Sequence, residues 1–178
     1  MKYSIIVSLI LCCFIGCKKT YTIKDYDKMN IFEYLENCKD NESILISSLI
    51  LSKVVYPDIK FQHYIDVIDS IARDVKSQVG ISESPYIRIA YLNKAIYQNY
   101  GLEYDRTDYM GRNFENQILT SVLDRHRGVC TTMPLVYMLV AERLDYPVKA
   151  VRAPNHFFCR YITNKQPFKI NIEATSGV

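Results

Sequence analysis

Apolar positions along the chain follow two periods. From Ser43 to Tyr56, Ile44, Leu45, Leu49, Ile50, Val54 and Val55 recur near helical spacing until Tyr56-Pro57-Asp58 stops them. Phe61, Tyr64, Ile65, Ile68, Ile71, Ala72 and Val75 repeat that period from Phe61 to Val79, and Gly80 ends it. Ser84-Pro85 reads as an N-cap with a first-turn proline, and Asn99-Tyr100-Gly101 as the matching stop. One or two helical turns fit Ile31 to Cys38. Phe114 to Arg127 predicts a further helix, with Ile118, Leu119, Val122 and Leu123 on one side, Arg125, His126 and Arg127 in the last turn against the dipole, and Gly128 as the stop. The next helix, capped by Thr131 or Thr132 with Pro134 in its first turn, is apolar nearly all round and therefore predicted buried. Asp145-Tyr146-Pro147 ends it. Beyond it the period drops to two: Val148 to Arg152, His156 to Ile162 and Phe168 to Glu173 predict three short strands, the last two joined by a hairpin turn at Asn164-Lys165-Gln166-Pro167. The fold class is α+β: a helical bundle ahead of a buried helix that packs on a small antiparallel sheet.

The amino terminus has its own pattern. Lys2 precedes an apolar run from Ile5 to Ile15 that is shorter than the ~20 residues of a spanning helix, so residues 1–16 read as a secretion signal. Gly16-Cys17 resembles a bacterial lipobox, which makes Cys17 the lipidated first residue of a mature chain. Residues 17–30, polar and charged, are then a tether, and residues 31–178 one domain, mainly helical to 127 and carrying the chemistry from 128. This predicts a protein of the bacterial cell envelope, extracytoplasmic and held to a membrane by lipid. Cys38, Cys130 and Cys159 remain in the mature chain, an odd number that leaves at least one thiol unpaired. A Cys130–Cys159 or Cys38–Cys159 bridge is the alternative to free thiols. Strand alternation points Cys159 away from the face of His156 and Phe158, as a core residue.

With 22 basic and 19 acidic residues and no basic run longer than Lys18-Lys19, nucleic-acid binding is unsupported. Three separated histidines do not make a zinc site, and no cofactor or metal is implied. His126 fits a helix end, and His63 lies within a helix without a partner residue. Cys130 is different. It stands where a loop becomes a helix, a place that favours an anion, and a thiol attacks as the thiolate. Alternation puts His156, Phe158 and Arg160 on one strand face, and Lys169, Asn171 and Glu173 on one face of the next. If those faces coincide, an imidazole and a carboxylate meet at one end of the pair. The polar stretch from Gly101 to Gly111 is an ordered surface loop or a plain connection.

Several segments then carry a family resemblance: Tyr56-Pro57-Asp58, Tyr100-Gly101, the loop from Tyr109 to Asn113, Asp124-Arg125-His126-Arg127-Gly128-Val129-Cys130 and Ala153-Pro154-Asn155-His156-Phe157. Over about Ile44 to Val178 the chain resembles the transglutaminase-like domain of the bacterial SirB family. Gly-Val-Cys, Pro-Asn-His and Asn171-Ile172-Glu173-Ala174-Thr175 also look like secreted transglutaminase-like proteins with a full triad. The resemblance implies a papain-like fold, with Cys130 as nucleophile, His156 as base and Glu173 as the carboxylate that orients it. It places Tyr109, Arg112 and Asn113 beside the cleft, with Asn113 partly buried. Many SirB-type members carry proline where this chain has Cys130, and animal-type transglutaminases use aspartate where it has Glu173. Related domains continue the sheet past the acid, which leaves open that the chain stops short of it. The implied function is an enzyme acting on amide bonds of a peptide or protein, by hydrolysis or by acyl transfer to an amine. The alternative is a non-catalytic binding lipoprotein that keeps the fold. Oligomeric state is not indicated.

Overall fold

The computed structural model describes residues 21–37, 43–163 and 168–176. The signal, Cys17, Cys38 and the turn at Asn164–Pro167 lie outside the described residues. In chain order the elements are α1 (Ile23–Lys28), α2 (Ile31–Asn37), α3 (Ile44–Val55), α4 (Phe61–Val79), α5 (Pro85–Asn93) running on into a π-helical segment (Lys94–Asn99), β1 (Glu103–Tyr104), two 3-10 turns (Arg106–Asp108 and Phe114–Gln117), α6 (Leu119–Arg125), β2 (Arg127–Gly128), α7 (Thr132–Glu142), β3 (Val148–Ala153), β4 (His156–Thr163) and β5 (Phe168–Ile172).

The 19-residue α4 is the axis, packing against α1, α3, α5, α6 and α7. Its stripe of Phe61, Ile68 and Val75 is wholly buried, as its spacing predicts. Each such side chain contributes on the order of 1.5–3 kcal/mol by leaving water. On the other side α7 covers β3 and β4. Among the described residues, β3, β4 and β5 form an antiparallel sheet in sequence order. Cys159 and Tyr161 of β4 and Ile172 of β5 face this core, while His156, Phe158 and Arg160 face away. The pairing of Arg160 with Asn171 puts that outer face of β4 beside the outer face of β5.

Three expectations are corrected. The tether contains α1, whose Thr22 and Asp25 form a reciprocal capping box and whose Tyr26 joins the core, followed by buried Met29. Asp27 holds it down, its carboxylate accepting from the Phe61 N–H at 3.0 Å at the start of α4. The helix expected over Phe114 to Arg127 breaks in two. Ile118 leaves helical space at φ −102°, ψ 120°, because the carbonyl of Asn116 is taken by the Thr132 hydroxyl and not by a helical ladder. The helix then stops at His126, not Gly128. His126 is left-handed at φ 53°, and its ring stacks on Tyr100 with Nδ1 2.6 Å from the Tyr100 carbonyl. This frees Arg127–Gly128 to pair in parallel with Glu103–Tyr104.

Candidate active site

Cys130 is delivered by the short β2 and the start of α7. Gly128 sits in a tight place: a Cβ there would lie 3.0 Å from the Thr132 hydroxyl, 3.1 Å from Met133 and 3.2 Å from Val122, so any larger residue would have to push these side chains back by a few tenths of an ångström. The next residue, Val129, is buried, and its carbonyl accepts from the N–H groups of Thr132 and Met133 at 3.1 and 3.0 Å. The first carbonyl of the helical ladder is therefore that of Val129, and Cys130 stands in the turn that leads into Thr132, where its own N–H has no intrahelical partner. Thr132 reaches back to accept from the Val129 N–H at 3.2 Å, half of a capping box. The Cys130 thiol is free and half-buried, so it is not bridged to Cys159. Cys159 is sealed in the core, where its thiol donates to the Pro134 carbonyl at 3.5 Å, and burial followed by the charge of Glu173 pushes it up to about 12.

His156 opens β4 directly after the Pro154-Asn155 turn. Proline presets φ at the first turn position, and Asn155 takes the left-handed second position at φ 56°, which asparagine tolerates. The Pro-Asn-His sequence is thus a turn that aims the imidazole. Its Nε2 lies 2.6 Å from Oε2 of Glu173, just past the end of β5. A carboxylate only accepts, so Nε2 carries the proton, and Nδ1 has no hydrogen-bond partner among the described residues. The other Glu173 oxygen accepts from the Thr175 hydroxyl at 2.6 Å and the Thr175 N–H at 3.1 Å. Burial pushes Glu173 up, but the bonds from Thr175 and His156 outweigh it and hold the carboxyl below its ordinary range.

Cys130 and His156 line one cleft of about 830 Å³, with Thr175, Asn155, Tyr104 and Tyr109 among the other lining residues. A second hollow of about 540 Å³, between Tyr56-Pro57-Asp58 and α6, has neither thiol nor imidazole in its wall. A thiol, an imidazole with one free nitrogen and a carboxylate on the other nitrogen are the parts of nucleophilic acyl chemistry.

The loop expected beside the cleft is there, but it is held differently. Tyr109 lines the cleft with an exposed side chain. Asn113 is exposed, not partly buried: its side chain caps the following 3-10 turn by accepting from Glu115 N–H at 3.1 Å, and its own N–H bonds Asp108 at 3.1 Å. Arg112 is exposed too, its N–H on Asp108 at 2.6 Å. The buried amide is Asn116, wholly inaccessible, which donates to Asp105 and Asp108 at 2.9 Å each and accepts from Arg125 at 2.7 Å. Through its carbonyl and Thr132 the same residue fixes the turn that bears Cys130. One signal in the sequence marks it. Asn116 sits three residues before Leu119 and seven before Leu123, a polar residue on the apolar face of the expected helix.

Hydrogen bonds from Thr107 and Asn116 pull Asp105 down to about 2. A carboxyl whose folded pKa lies below its unfolded value stabilises the fold when ionised. That contribution is complete above the unfolded value of about 3.9 and is lost as pH falls through about 2. Urea unfolding followed at steps between about pH 5 and pH 2 is expected to show a shallower loss of stability in Asp105→Asn than in the wild type. Equal slopes would show that Asp105 titrates as in the unfolded chain.

Comparison with known proteins agrees in kind. The pattern of the transglutaminase-like superfamily matches residues 62–177, a span that holds Cys130, His156 and Glu173 but not Tyr56-Pro57-Asp58. A UPF0162 protein of Xylella fastidiosa (strain Temecula1) is 25% identical over 123 residues, covering 68% of this chain and 43% of its own length. F-box only protein 21 of Mus musculus is 27% identical over 164 residues, covering 80% of this chain and 26% of its own. The chain thus spans less than half the length of these relatives. No solved structure shows a significant match to it.

Proposed function

The chain belongs to the transglutaminase-like superfamily, and from that premise we propose a cysteine enzyme of SirB type and papain-like fold that acts on amide bonds of a peptide or protein. The observation that carries this reading is the 2.6 Å bond between Glu173 and His156, an imidazole that lines the same cleft as the free thiol of Cys130. His156 Nδ1 takes the thiol proton, and the Cys130 sulfur attacks the amide carbon. The oxyanion that forms accepts from the backbone N–H of Cys130 in the turn leading into α7. Collapse expels the amine, which takes the proton back from the imidazolium, and leaves a thioester on Cys130. Water or a second amine then attacks with the same imidazole as base, giving hydrolysis or acyl transfer. Glu173 stays ionised and stabilises the imidazolium. No hydrogen bond joins the thiol to His156 in this structure, and on this the non-catalytic alternative rests. A thiol-reactive acyl probe separates the two: saturable labelling of Cys130 that requires His156 supports the enzyme, and labelling no faster than that of an unactivated thiol, or independent of His156, supports the binding protein.

The Gly16-Cys17 pair supports the second half of the reading, a lipid-anchored protein of the bacterial cell envelope whose Cys17 carries the acyl chains. Cys17→Ser is expected to abolish metabolic labelling with palmitate and processing of the precursor. A variant still processed and membrane-bound like the wild type would remove the anchor from the proposal.

A further inference from the structure

We infer that Thr175 is a positioning residue of the site: its hydroxyl, on the far oxygen of Glu173, locks the carboxylate in the rotation that meets His156. The inference rests on the Cys130–His156–Glu173 reading. Glu173 has one more rotatable bond than an aspartate at the same task, and its side chain is 42% exposed, so water competes for both oxygens. One oxygen holds the imidazole at 2.6 Å. With only that bond, the carboxylate can turn about its last torsion and let the imidazole go. The Thr175 hydroxyl at 2.6 Å and its N–H at 3.1 Å engage the other oxygen and remove that freedom. The longer acid and the threonine two residues on thus form one unit.

Closure of the local turn does not need this hydroxyl. Ser176 bonds the Glu173 carbonyl through its N–H at 3.2 Å and its hydroxyl at 2.9 Å, and wholly buried Ala174 anchors the turn to the core. The Thr175 hydroxyl serves the carboxylate alone. Because Thr175 also lines the cleft, direct contact with the substrate is the rival role, and the test has to separate the two.

Thr175→Val keeps the shape and the backbone N–H and deletes only the hydroxyl. In the full chain, the rate of Cys130 acylation by the thiol-reactive acyl probe is expected to fall about ten- to a hundredfold in Thr175→Val, while unfolding stays cooperative and its midpoint drops by only a few degrees, as loss of one partly exposed hydrogen bond requires. Thr175→Ser is expected to stay within about twofold of the wild type, since it retains the donor. The acid limb of the rate against pH is expected to move upward in Thr175→Val, because a carboxylate that has lost a donor takes up its proton at higher pH. On a Glu173→Gln background Thr175→Val is expected to add nothing. A wild-type rate in Thr175→Val beside a slow Glu173→Gln would overturn the inference and leave the triad reading intact. An equal loss on the Glu173→Gln background would overturn it in favour of substrate contact. If neither His156→Ala nor Glu173→Gln slows acylation, the triad reading falls, and the role of Thr175 with it.

Discussion

Cys130→Ala will bring turnover of any amide substrate down to background while the protein unfolds at its usual temperature. The thiol is the only atom proposed to bond the substrate, and it is half-buried at a turn secured by Val129, Thr132 and Gly128 instead of by its own side chain. In triads of this logic, losing nucleophile or base costs about 10⁶-fold, and losing the orienting carboxylate about 10⁴-fold. His156→Ala is therefore expected to match Cys130→Ala, and Glu173→Gln to leave weak but measurable activity, because the amide can still accept from Nε2–H through its oxygen but cannot neutralise an imidazolium. The kinetic parameters of the three variants, set beside their melting curves, check this. Full activity in Glu173→Gln would mean that the 2.6 Å contact is structural and has no part in the chemistry.

Asn116→Ala is expected to have the largest effect on stability, about 2–4 kcal/mol, from an unfilled space and polar groups left unpaired in the interior. Against a total of about 5–15 kcal/mol for a domain, that is a substantial part of the margin. Asn116 is wholly buried, and its amide ties Asp105, Asp108 and Arg125 together. Without it two carboxylates face each other with fewer donors, and the loop that they hold through Arg112 and Asn113 loosens beside the cleft. Urea denaturation measures the first consequence, and faster proteolysis between residues 105 and 113 the second. A midpoint within error of the wild type would show that water replaces the amide at no cost.

The elements that local pattern determines were legible in the chain. Helical spacing marked α3 and α4, Ser84-Pro85 marked the start of α5, and period-two alternation separated the outer face of β4, with His156, from the core face, with Cys159. The meeting of His156 with Glu173 belongs with these, because two adjacent antiparallel strands with known facing leave few registers. A periodicity is a property of neighbouring residues, and burying one face of a helix or strand is what selects it.

Other features only the tertiary structure decided. Ile23–Lys28 is polar in sequence, yet it folds because distant groups accept it: Tyr26 enters the core, and Asp27 caps the N-terminus of α4. The expected helix over Phe114 to Arg127 is broken by bonds that Asn116 makes to Asp105, Asp108 and Thr132, eight to sixteen residues away. The same bonds put the buried amide at 116 and leave Asn113 exposed. Cys130 and His156 share a cleft because α7 lies across β3 and β4, a packing that no local run of residues encodes. Apolar burial is rewarded wherever a stripe finds any core, so its signal survives in one dimension. A buried polar group must instead find its particular partner, and which partner is in reach is known only once the chain is folded.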